Sequence, residues 1–314
     1  MKSLAIIIPV FNEEHSIIGN LSRIISVVQS LTELSVNILL VDDGSTDATV
    51  QLIRGLVSKE KNLHLLCLTR NFGKEAAIYA GLTFAKKCDA AIVMDGDLQH
   101  PPSILPEMVR LWQQGYDVVE ACKSSRGPET RAKGVMVRLY TLLFESLTRI
   151  GIKNHSDFKL LDKKVIEAYC RLPERERFFR GLINWLHFST AQISFDVPAT
   201  DKKTSSWKKW TLIKYAISSI VSFTSFPLHL VTVLGGLTFL VSVVIGGIAL
   251  VDKISGKAIG GFTTVILLLL FIGSVLMFSL GIIGIYIAGI YDELKHRPAF
   301  IVNEKESFLG DFRQ

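Results

Sequence analysis

Two carboxylates and an amide follow an apolar run early in the chain, and together they could bind a metal ion. The run Ala90–Met94 has no charged residue, which predicts a strand buried on both faces. Asp95, Asp97 and Gln99 come directly after it. Ligands bind at the carboxyl ends of strands in open α/β sheets. Oxygen ligands of this kind suit Mg²⁺ or Mn²⁺, and substrate phosphates can complete the coordination shell.

Two further strands end in the same way, which argues against an ordinary polar turn. Asp-Gly-Asp on its own is a common turn sequence. However, the apolar run 36–41 leads into Asp42-Asp43, and the run 4–10 leads into Phe11–Glu14. Parallel strands would bring these acids to one edge, where their repulsion is costly unless a cation or a hydrogen-bonding ligand lies among them. The sequence therefore predicts an α/β fold with a mostly parallel sheet and a ligand site at its acidic edge.

Alternating strands and helices are predicted to position these residues within about the first 120 residues. Strands are expected at 4–10, 36–41, 63–68, 90–94 and 117–121. Ser16–Ser30 carries an apolar stripe at helical spacing, and Thr46-Asp47 is a candidate N-cap for a helix ending at Val57. Basic amphipathic stretches follow at 131–150 and 207–226. Both suit a membrane interface, although the first fits a core-facing helix equally well.

Two long uncharged segments in the last third of the chain predict membrane-spanning helices. Leu230–Val251 and Phe262–Tyr291 contain no Asp, Glu, Lys or Arg. As a helix, the first segment would extend roughly 33 Å, enough for a hydrocarbon core about 30 Å thick. The alternative is a pair of buried helices in a large soluble domain, and the length and lack of charge argue against it.

The distribution of basic residues predicts how the two segments cross the membrane. Lysines are frequent in 202–214, before the first segment, and 295–297 is basic after the second, whereas the loop between the segments holds only two lysines. The positive-inside rule then places both termini in the cytoplasm. Nucleic acid is the other common partner of basic patches, but no nucleic-acid-binding motif is present. The four cysteines are scattered, which argues against a zinc or disulfide framework.

Four motifs, taken in order, resemble the family 2 glycosyltransferases, which have the GT-A (Rossmann-like) fold. They are Ile8–Glu14, Val41–Asp47, Asn71–Lys74 and Asp95–Pro102. More narrowly, the chain resembles the polyprenyl-phosphate glycosyltransferases, which include dolichyl-phosphate mannose synthases and bactoprenol glucosyltransferases. The resemblance continues through Ser156–Leu161, Ser225–Leu228 and Gly284–Ile287, so it covers nearly the whole chain.

The resemblance implies roles for the residues at the acidic edge. Asp95, Asp97 and Gln99 would hold Mg²⁺ or Mn²⁺, which offsets the negative charge that develops on a diphosphate leaving group. Asp97 would thereby take part in catalysis. The nucleotide sugar, with UDP-glucose favoured, would be bound by Asp95 together with five further residues: Pro9, Phe11, Glu13, Asp42 and Asp43.

A lipid phosphate acceptor needs cations, because its oxygen is already anionic near neutral pH, whereas a sugar hydroxyl needs a general base. Related enzymes use arginines after the strand that corresponds to 117–121. The resemblance implies phosphate contacts from Lys123, Arg126, Arg131, Lys133, Lys202 and Lys203, with Lys123 standing where an arginine is expected. Asp157 resembles an aspartate placed near the sugar and the acceptor phosphate, although a helix N-cap explains it almost as well.

These features together predict an inverting transferase that moves a sugar from a nucleotide sugar to undecaprenyl or dolichyl phosphate. The expected organisation is a catalytic domain (1–205), an interfacial helix (206–228), a two-helix transmembrane domain (229–292) and a cytoplasmic tail (293–314). A processive polysaccharide synthase is one alternative, but 177–185 lacks the Gln-x-x-Arg-Trp motif. A non-catalytic membrane scaffold is another, but it would not need acids at three strand ends. The small residues Gly284 and Ala288 would allow close helix contact, either within one chain or between the copies of a homo-oligomer.

Overall fold

The computed structural model describes residues 1–123, 146, 155–195, 224–256 and 261–313. The chain forms two compact units, of which one comprises Met1–Ser206 with Pro298–Gln314 and the other Trp207–Arg297. Several predicted phosphate ligands lie outside the described residues, namely Arg126, Arg131, Lys133, Lys202 and Lys203. The two amphipathic stretches also lie outside them, apart from Ser146 and 224–226.

Four parallel strands form one half of a seven-stranded sheet in the first unit. They are β1 (Lys2–Val10), β2 (Leu34–Asp42), β3 (Leu63–Cys67) and β4 (Ala90–Val93), in the spatial order β3-β2-β1-β4. Their continuous apolar runs are buried because helices cover both faces of such a sheet. The predicted mostly parallel sheet is confirmed, and the acids that follow β1, β2 and β4 lie at one edge of it.

The other half of the sheet contains an antiparallel strand. β5 (Val118–Lys123), β6 (His155–Asp162) and β7 (Thr190–Phe195) continue the order as β4-β6-β5-β7. β6 runs antiparallel to β4 and β5, so its amino-terminal end meets the carboxyl end of β4. Asp157 lies inside β6, and reading it as a helix N-cap is therefore wrong. The N-cap nearby is Asp162, whose side chain accepts a hydrogen bond from the Lys164 amide.

Helices of the first unit pack against the faces of the sheet. They are α1 (Ile17–Val28), α2 (Thr49–Val57), α3 (Lys74–Phe84), α4 (Leu105–Gln113), α5 (Lys163–Arg171) and α6 (Phe179–Trp185). The apolar stripe of α1 is buried, as its spacing predicts. α2 begins at Thr49, later than the N-cap predicted at Thr46-Asp47, although the Asp47 carboxylate still accepts a hydrogen bond from the Thr49 amide at 3.0 Å.

The C-terminal segment of the first unit packs against the β3 edge of the sheet. Antiparallel bridges join Leu65 to Phe308 and Leu68 to Val302. The Arg54 guanidinium forms an ion pair with the Glu306 carboxylate. An exposed edge strand is a template for unwanted pairing. The C-terminal segment covers part of that edge.

The second unit contains two long apolar helices, α7 (Phe226–Ile254) and α8 (Phe262–Leu294). In the part of the chain that the structure describes, both are long and apolar enough to cross a membrane, and the apolar windows of both are unburied. The Tyr286 hydroxyl donates a hydrogen bond to the Thr224 carbonyl at 2.7 Å. The predicted pair of long apolar helices is therefore confirmed, and their exposed surfaces are not those of core helices in a soluble domain.

Candidate active site

The loops that follow β1 and β2 are joined by hydrogen bonds. The Asn12 amide donates to Ser45 Oγ at 2.9 Å, and Asn12 Oδ1 accepts from the Thr46 amide at 2.8 Å. The Glu13 amide donates to Thr49 Oγ1 at 2.8 Å. These bonds bring the predicted nucleotide residues of the two loops into one region. Beside them, Pro9 is half-buried, whereas Phe11 presents an exposed aromatic ring.

Asp42 stabilises the turn that follows its own strand. Its Oδ2 accepts hydrogen bonds from the amides of Gly44 and Ser45, both at 3.1 Å. Burial raises the pKa of the Asp42 carboxyl, and these hydrogen bonds act in the opposite direction. The turn requires glycine at position 44, because φ is +72° and a Cβ there would lie 2.5 Å from the Arg70 carbonyl carbon.

Asp43 fixes the loop that leads into α3. Its two carboxylate oxygens accept hydrogen bonds from the amides of Phe72 (2.7 Å) and Gly73 (2.8 Å). Burial raises the pKa of this carboxyl, while the two amide bonds lower it. Asp43 therefore positions the first residue of α3, Lys74. A direct contact between Asp43 and a nucleotide stays a prediction.

The loop after β4 holds the three predicted metal ligands in a constrained turn. Asp97 Oδ1 accepts a hydrogen bond from the Gln99 amide at 3.0 Å. Leu98 between them has φ of +58°, which is uncommon for a residue with a side chain. The Asn20 side-chain amide reaches over from α1 and donates to the Gly96 carbonyl at 2.8 Å. The backbone of the loop is thus held from two sides.

A buried histidine holds the start of the same loop. The Asp95 amide donates a hydrogen bond to His100 Nδ1 at 3.2 Å, which requires the tautomer with an unprotonated Nδ1. The His100 ring is 3% exposed and stacks on Phe158 with ring centroids 5.0 Å apart. Sequence reasoning assigned no role to His100 or Asn20. Their signal is weak, because each acts on the backbone of another segment.

A cluster of acids and bases connects this loop with β6. Lys74 Nζ lies 2.6 Å from Asp95 Oδ1 and 2.7 Å from Asp157 Oδ2. Arg180 binds the other side of Asp157, with Nε at 2.6 Å from Oδ1 and Nη2 at 2.9 Å from Oδ2. We call these four side chains the acid–base cluster. Lys74 and Arg180 had no predicted role.

Charge pairing keeps Asp157 and Lys74 ionised. Burial alone would raise the pKa of Asp157, but the Arg180 hydrogen bonds and the charge of Lys74 hold it well below its usual range. Burial would likewise lower the pKa of Lys74, but the charges of Asp157 and Asp95 raise it above its usual range. Both groups are therefore charged at neutral pH.

Glu75 links the helices that carry the two bases. Its carboxylate accepts a hydrogen bond from the Phe179 amide at 2.9 Å, so the start of α3 is tied to the start of α6. Burial, and then the negative charge of Asp157, raise the pKa of Glu75 to about 7. Lys74 follows Gly73 in the loop between β3 and α3, and that position could have identified it from the sequence. Arg180 offers no such signal, because its partner Asp157 lies on a strand that the sequence did not predict.

The loop after β4 fits a divalent cation in its chemistry. Asp95, Asp97 and Gln99 are all half-buried, and each supplies the oxygen ligands that Mg²⁺ and Mn²⁺ prefer. The described residues contain no group of three or more His, Cys, Asp or Glu side chains that is already arranged to hold a metal ion. One or two carboxylates suffice for Mg²⁺ when substrate phosphates complete the shell. Lys74 already neutralises Asp95, so a cation there would compete with it.

The predicted acceptor residues can be placed only in part. The Lys123 backbone lies at the end of β5, where it pairs with Phe195 of β7. The other basic residues predicted for the acceptor lie outside the described ranges. Among the basic residues that the structure describes, Lys74 and Arg180 pair with acids at this edge of the sheet.

The chain is similar to a known protein family over more than half of its length. Residues 5–170 match the family model of glycosyl transferase family 2. The chain belongs to that family and is a glycosyltransferase, as the four motifs predict.

The similarity to individual relatives extends over nearly the whole chain. An uncharacterized glycosyltransferase of Synechocystis sp. is 34% identical over 303 residues, which cover 96% of this chain and 95% of the relative. The bactoprenol glucosyl transferase of Shigella phage SfV is 34% identical over 309 residues, covering 96% and 99%. Among solved structures, glucosyl-3-phosphoglycerate synthase from Mycobacterium tuberculosis, crystallised with Mn²⁺, UDP and glucosyl-3-phosphoglycerate, matches with a TM-score of 0.47 and 19% identity. That match covers 70% of this chain and 79% of the other.

Proposed function

We propose that this protein transfers glucose from a nucleotide sugar to a polyprenyl phosphate in the cytoplasmic membrane. The observation that carries the proposal is an acidic site at the ends of β1, β2 and β4 in a chain that also has two long, unburied apolar helices. A soluble acceptor would not require those helices. The name of the Shigella phage SfV relative supports the choice of glucose and of a lipid acceptor.

The donor side of the proposed site lies at the acidic edge. Asp95, Asp97 and Gln99 hold Mg²⁺ or Mn²⁺, which offsets the charge of the leaving diphosphate when it is bound. The nucleotide occupies the region between the loops after β1 and β2, in contact with Pro9, Phe11, Glu13, Asp42 and Asp43. Phe11 suits this role because its exposed ring can stack on a base.

The proposed reaction is a single displacement. A phosphate oxygen of the acceptor attacks C1 of glucose from the face opposite the diphosphate, and its electron pair forms the new C1–O bond. The bond from C1 to the diphosphate oxygen breaks, and its electron pair leaves with the nucleoside diphosphate, so the anomeric centre inverts. A protein base is unnecessary because the attacking oxygen is already ionised. Asp157 orients the reacting groups, and basic residues outside the described ranges (Arg126, Arg131, Lys133, Lys202, Lys203), together with Lys123, bind the phosphate.

In the proposed membrane arrangement, α7 and α8 span the bilayer with both termini on the cytoplasmic side. The polyprenyl chain of the acceptor stays in the lipid. Small residues on α8, at Gly284 and Ala288, would allow copies of the chain to associate.

The test is transfer by the purified full chain in lipid nanodiscs. The chain is incubated with farnesyl phosphate, Mg²⁺ and a panel of radiolabelled nucleotide sugars, and the products are extracted into organic solvent. We expect label from UDP-glucose in the organic phase, its loss with excess chelator or with Asp97→Asn, and its retention with Glu107→Gln, an exposed acid on α4. Label in a polymer or on a free sugar, or transfer that chelator leaves unchanged, would contradict the proposal.

A further inference from the structure

We propose, on the basis of the function proposed above, that Lys74 and Arg180 also bind the phosphate of the lipid acceptor, in addition to the basic residues predicted from the sequence. Asp157 holds the two cations together. This assigns a ligand to two residues for which the family resemblance gave no role.

The two cations that pair with Asp157 are more exposed to solvent than Asp157 itself. The Asp157 side chain is only 6% exposed, whereas those of Lys74 and Arg180 are 43% and 38% exposed. A ligand that approaches Asp157 from solvent therefore meets the two cations first, and this favours an anion. Asp95, the other acid of the cluster, is 29% exposed and is paired with Lys74.

The two cations converge on one point. Asp157 Oδ2 accepts hydrogen bonds from both Lys74 Nζ and Arg180 Nη2, and Oδ1 accepts from Arg180 Nε. The guanidinium is therefore held in a two-point fork, which fixes its plane. A planar guanidinium and an ammonium side by side suit the tetrahedral oxygens of a phosphate.

The backbone on both sides of the cluster is fixed as well. Asp43 holds the amide of Gly73, directly before Lys74, and Glu75 holds the amide of Phe179, directly before Arg180. Fixed cations lose little entropy when a ligand binds.

The position of Lys74 suits an attacking phosphate. Its ammonium bonds Asp95 as well as Asp157, so it lies next to the loop proposed to hold the donor diphosphate. An acceptor phosphate bound at Lys74 would lie beside the sugar that it attacks. Holding two reactants in such proximity is a large part of enzymatic rate enhancement.

The alternative is that Lys74 and Arg180 only compensate the buried charge of Asp157. In that case their loss would lower stability without acting on one ligand in particular. The two explanations therefore differ in ligand selectivity, and binding can be measured apart from transfer.

The experiment compares Lys74→Met and Arg180→Gln with wild type in the full chain in nanodiscs. Binding of farnesyl phosphate and of UDP with Mg²⁺ is measured separately by calorimetric titration. We expect each variant to weaken farnesyl phosphate binding about tenfold or more, because a charged hydrogen bond is lost. UDP binding with Mg²⁺ should weaken by no more than about threefold in either variant. In Lys74→Met it should tighten instead, because Lys74 competes with the metal at Asp95. Farnesol, which lacks the phosphate, should bind all of them alike.

Matched controls separate a local effect from a general one. Lys164→Met and Arg171→Gln remove exposed cations that pair with acids away from the cluster, and both should leave farnesyl phosphate binding unchanged. If the two test variants fail to fold, Lys74→Arg and Arg180→Lys keep the charge. Arg180→Lys should then weaken the lipid phosphate selectively, because lysine cannot form the fork.

Unchanged binding of farnesyl phosphate in the test variants would overturn this assignment. An equal loss for both ligands, or a loss for UDP alone, would also overturn it, since the site would then be structural or belong to the donor. If wild type itself neither binds nor glucosylates a polyprenyl phosphate, the proposed function fails instead.

Discussion

Two charged residues of β6, Asp157 and Lys159, lie two positions apart, and the side chains that pair with them differ sharply in exposure. Asp157 belongs to the acid–base cluster, whose cations are more than a third exposed. Lys159 forms an ion pair with Glu120 on the neighbouring strand, and both side chains are fully buried. Burial lowers the pKa of Lys159 well below its usual range. The same strand therefore carries one ionic group that a ligand can reach and one that it cannot.

The difference indicates two different uses of charge. An ion pair that water cannot reach carries a desolvation penalty and cannot contact a substrate, so it affects only the stability of the fold. In the acid–base cluster Asp157 is buried while Lys74 and Arg180 are partly exposed, so these two cations can exchange contacts with a ligand. Burial and partner geometry, rather than the presence of charge, separate the structural group from the candidate functional one.

The largest expected effect comes from breaking the buried pair. Lys159→Met leaves the Glu120 carboxylate buried beside an apolar side chain. We expect the free energy of unfolding to fall by about 3–5 kcal/mol, as for other buried pairs that lose one partner. Denaturant unfolding of the full chain in detergent, followed by circular dichroism, measures this loss.

The double variant Lys159→Met with Glu120→Leu is the control. It replaces both charges by apolar side chains, and we expect most of the stability to return. A single variant as stable as wild type would remove the structural half of the comparison.

Removing the acid of the other group should have the opposite profile. Asp157→Asn leaves Lys74 and Arg180 partly exposed, so water can solvate them, and we expect a loss of stability of about 1 kcal/mol or less. Transfer to farnesyl phosphate should fall about 100-fold, because the two cations lose their common anchor. Unfolding and initial transfer rates, measured on the same preparation, test both halves.

Asp117→Asn is the matched control, since it also removes an acid that pairs with a lysine. It should leave the transfer rate unchanged. A stability loss in Asp157→Asn as large as in Lys159→Met, with transfer intact, would mean that the acid–base cluster is structural too.

The parallel half of the sheet could be predicted because its signals are local. β1, β2 and β4 are continuous apolar runs, and each ends on acids, so the strand and its site are adjacent in sequence. The position of Asp95 and Asp97 at the sheet edge follows from that pattern alone.

The antiparallel half could not be predicted in the same way. β6 carries Asp157 and Lys159 in its interior, a composition that argues against a buried strand. Each charge is accommodated by a distant partner, since Glu120 lies 39 residues and Arg180 lies 23 residues away. Such partners leave no periodic signal in the segment itself, and for that reason the second base of the cluster was missed.

The smallest expected effect concerns the side of the cluster that faces the proposed metal ligands. Lys74 bonds Asp95 at 2.6 Å, so a divalent cation at that carboxylate must compete with a resident positive charge. Lys74→Met removes the competitor and its repulsion. We expect Mn²⁺, without nucleotide, to bind about fivefold more tightly to the variant, which corresponds to roughly 1 kcal/mol between partly exposed charges. Electron paramagnetic resonance of free Mn²⁺ measures the binding directly, without any need for transfer.

The buried pair of Lys159 and Glu120 should have no such effect on Mn²⁺ binding. Lys159 is enclosed with Glu120, so a metal ion cannot replace it, and the stable double variant Lys159→Met with Glu120→Leu should bind Mn²⁺ as wild type does. A cation that moves between a carboxylate and an arriving ligand must lie where solvent reaches it, as Lys74 does. Mn²⁺ binding that is weaker in Lys74→Met would contradict this account, since Lys74 would then support the metal ligands rather than compete for them.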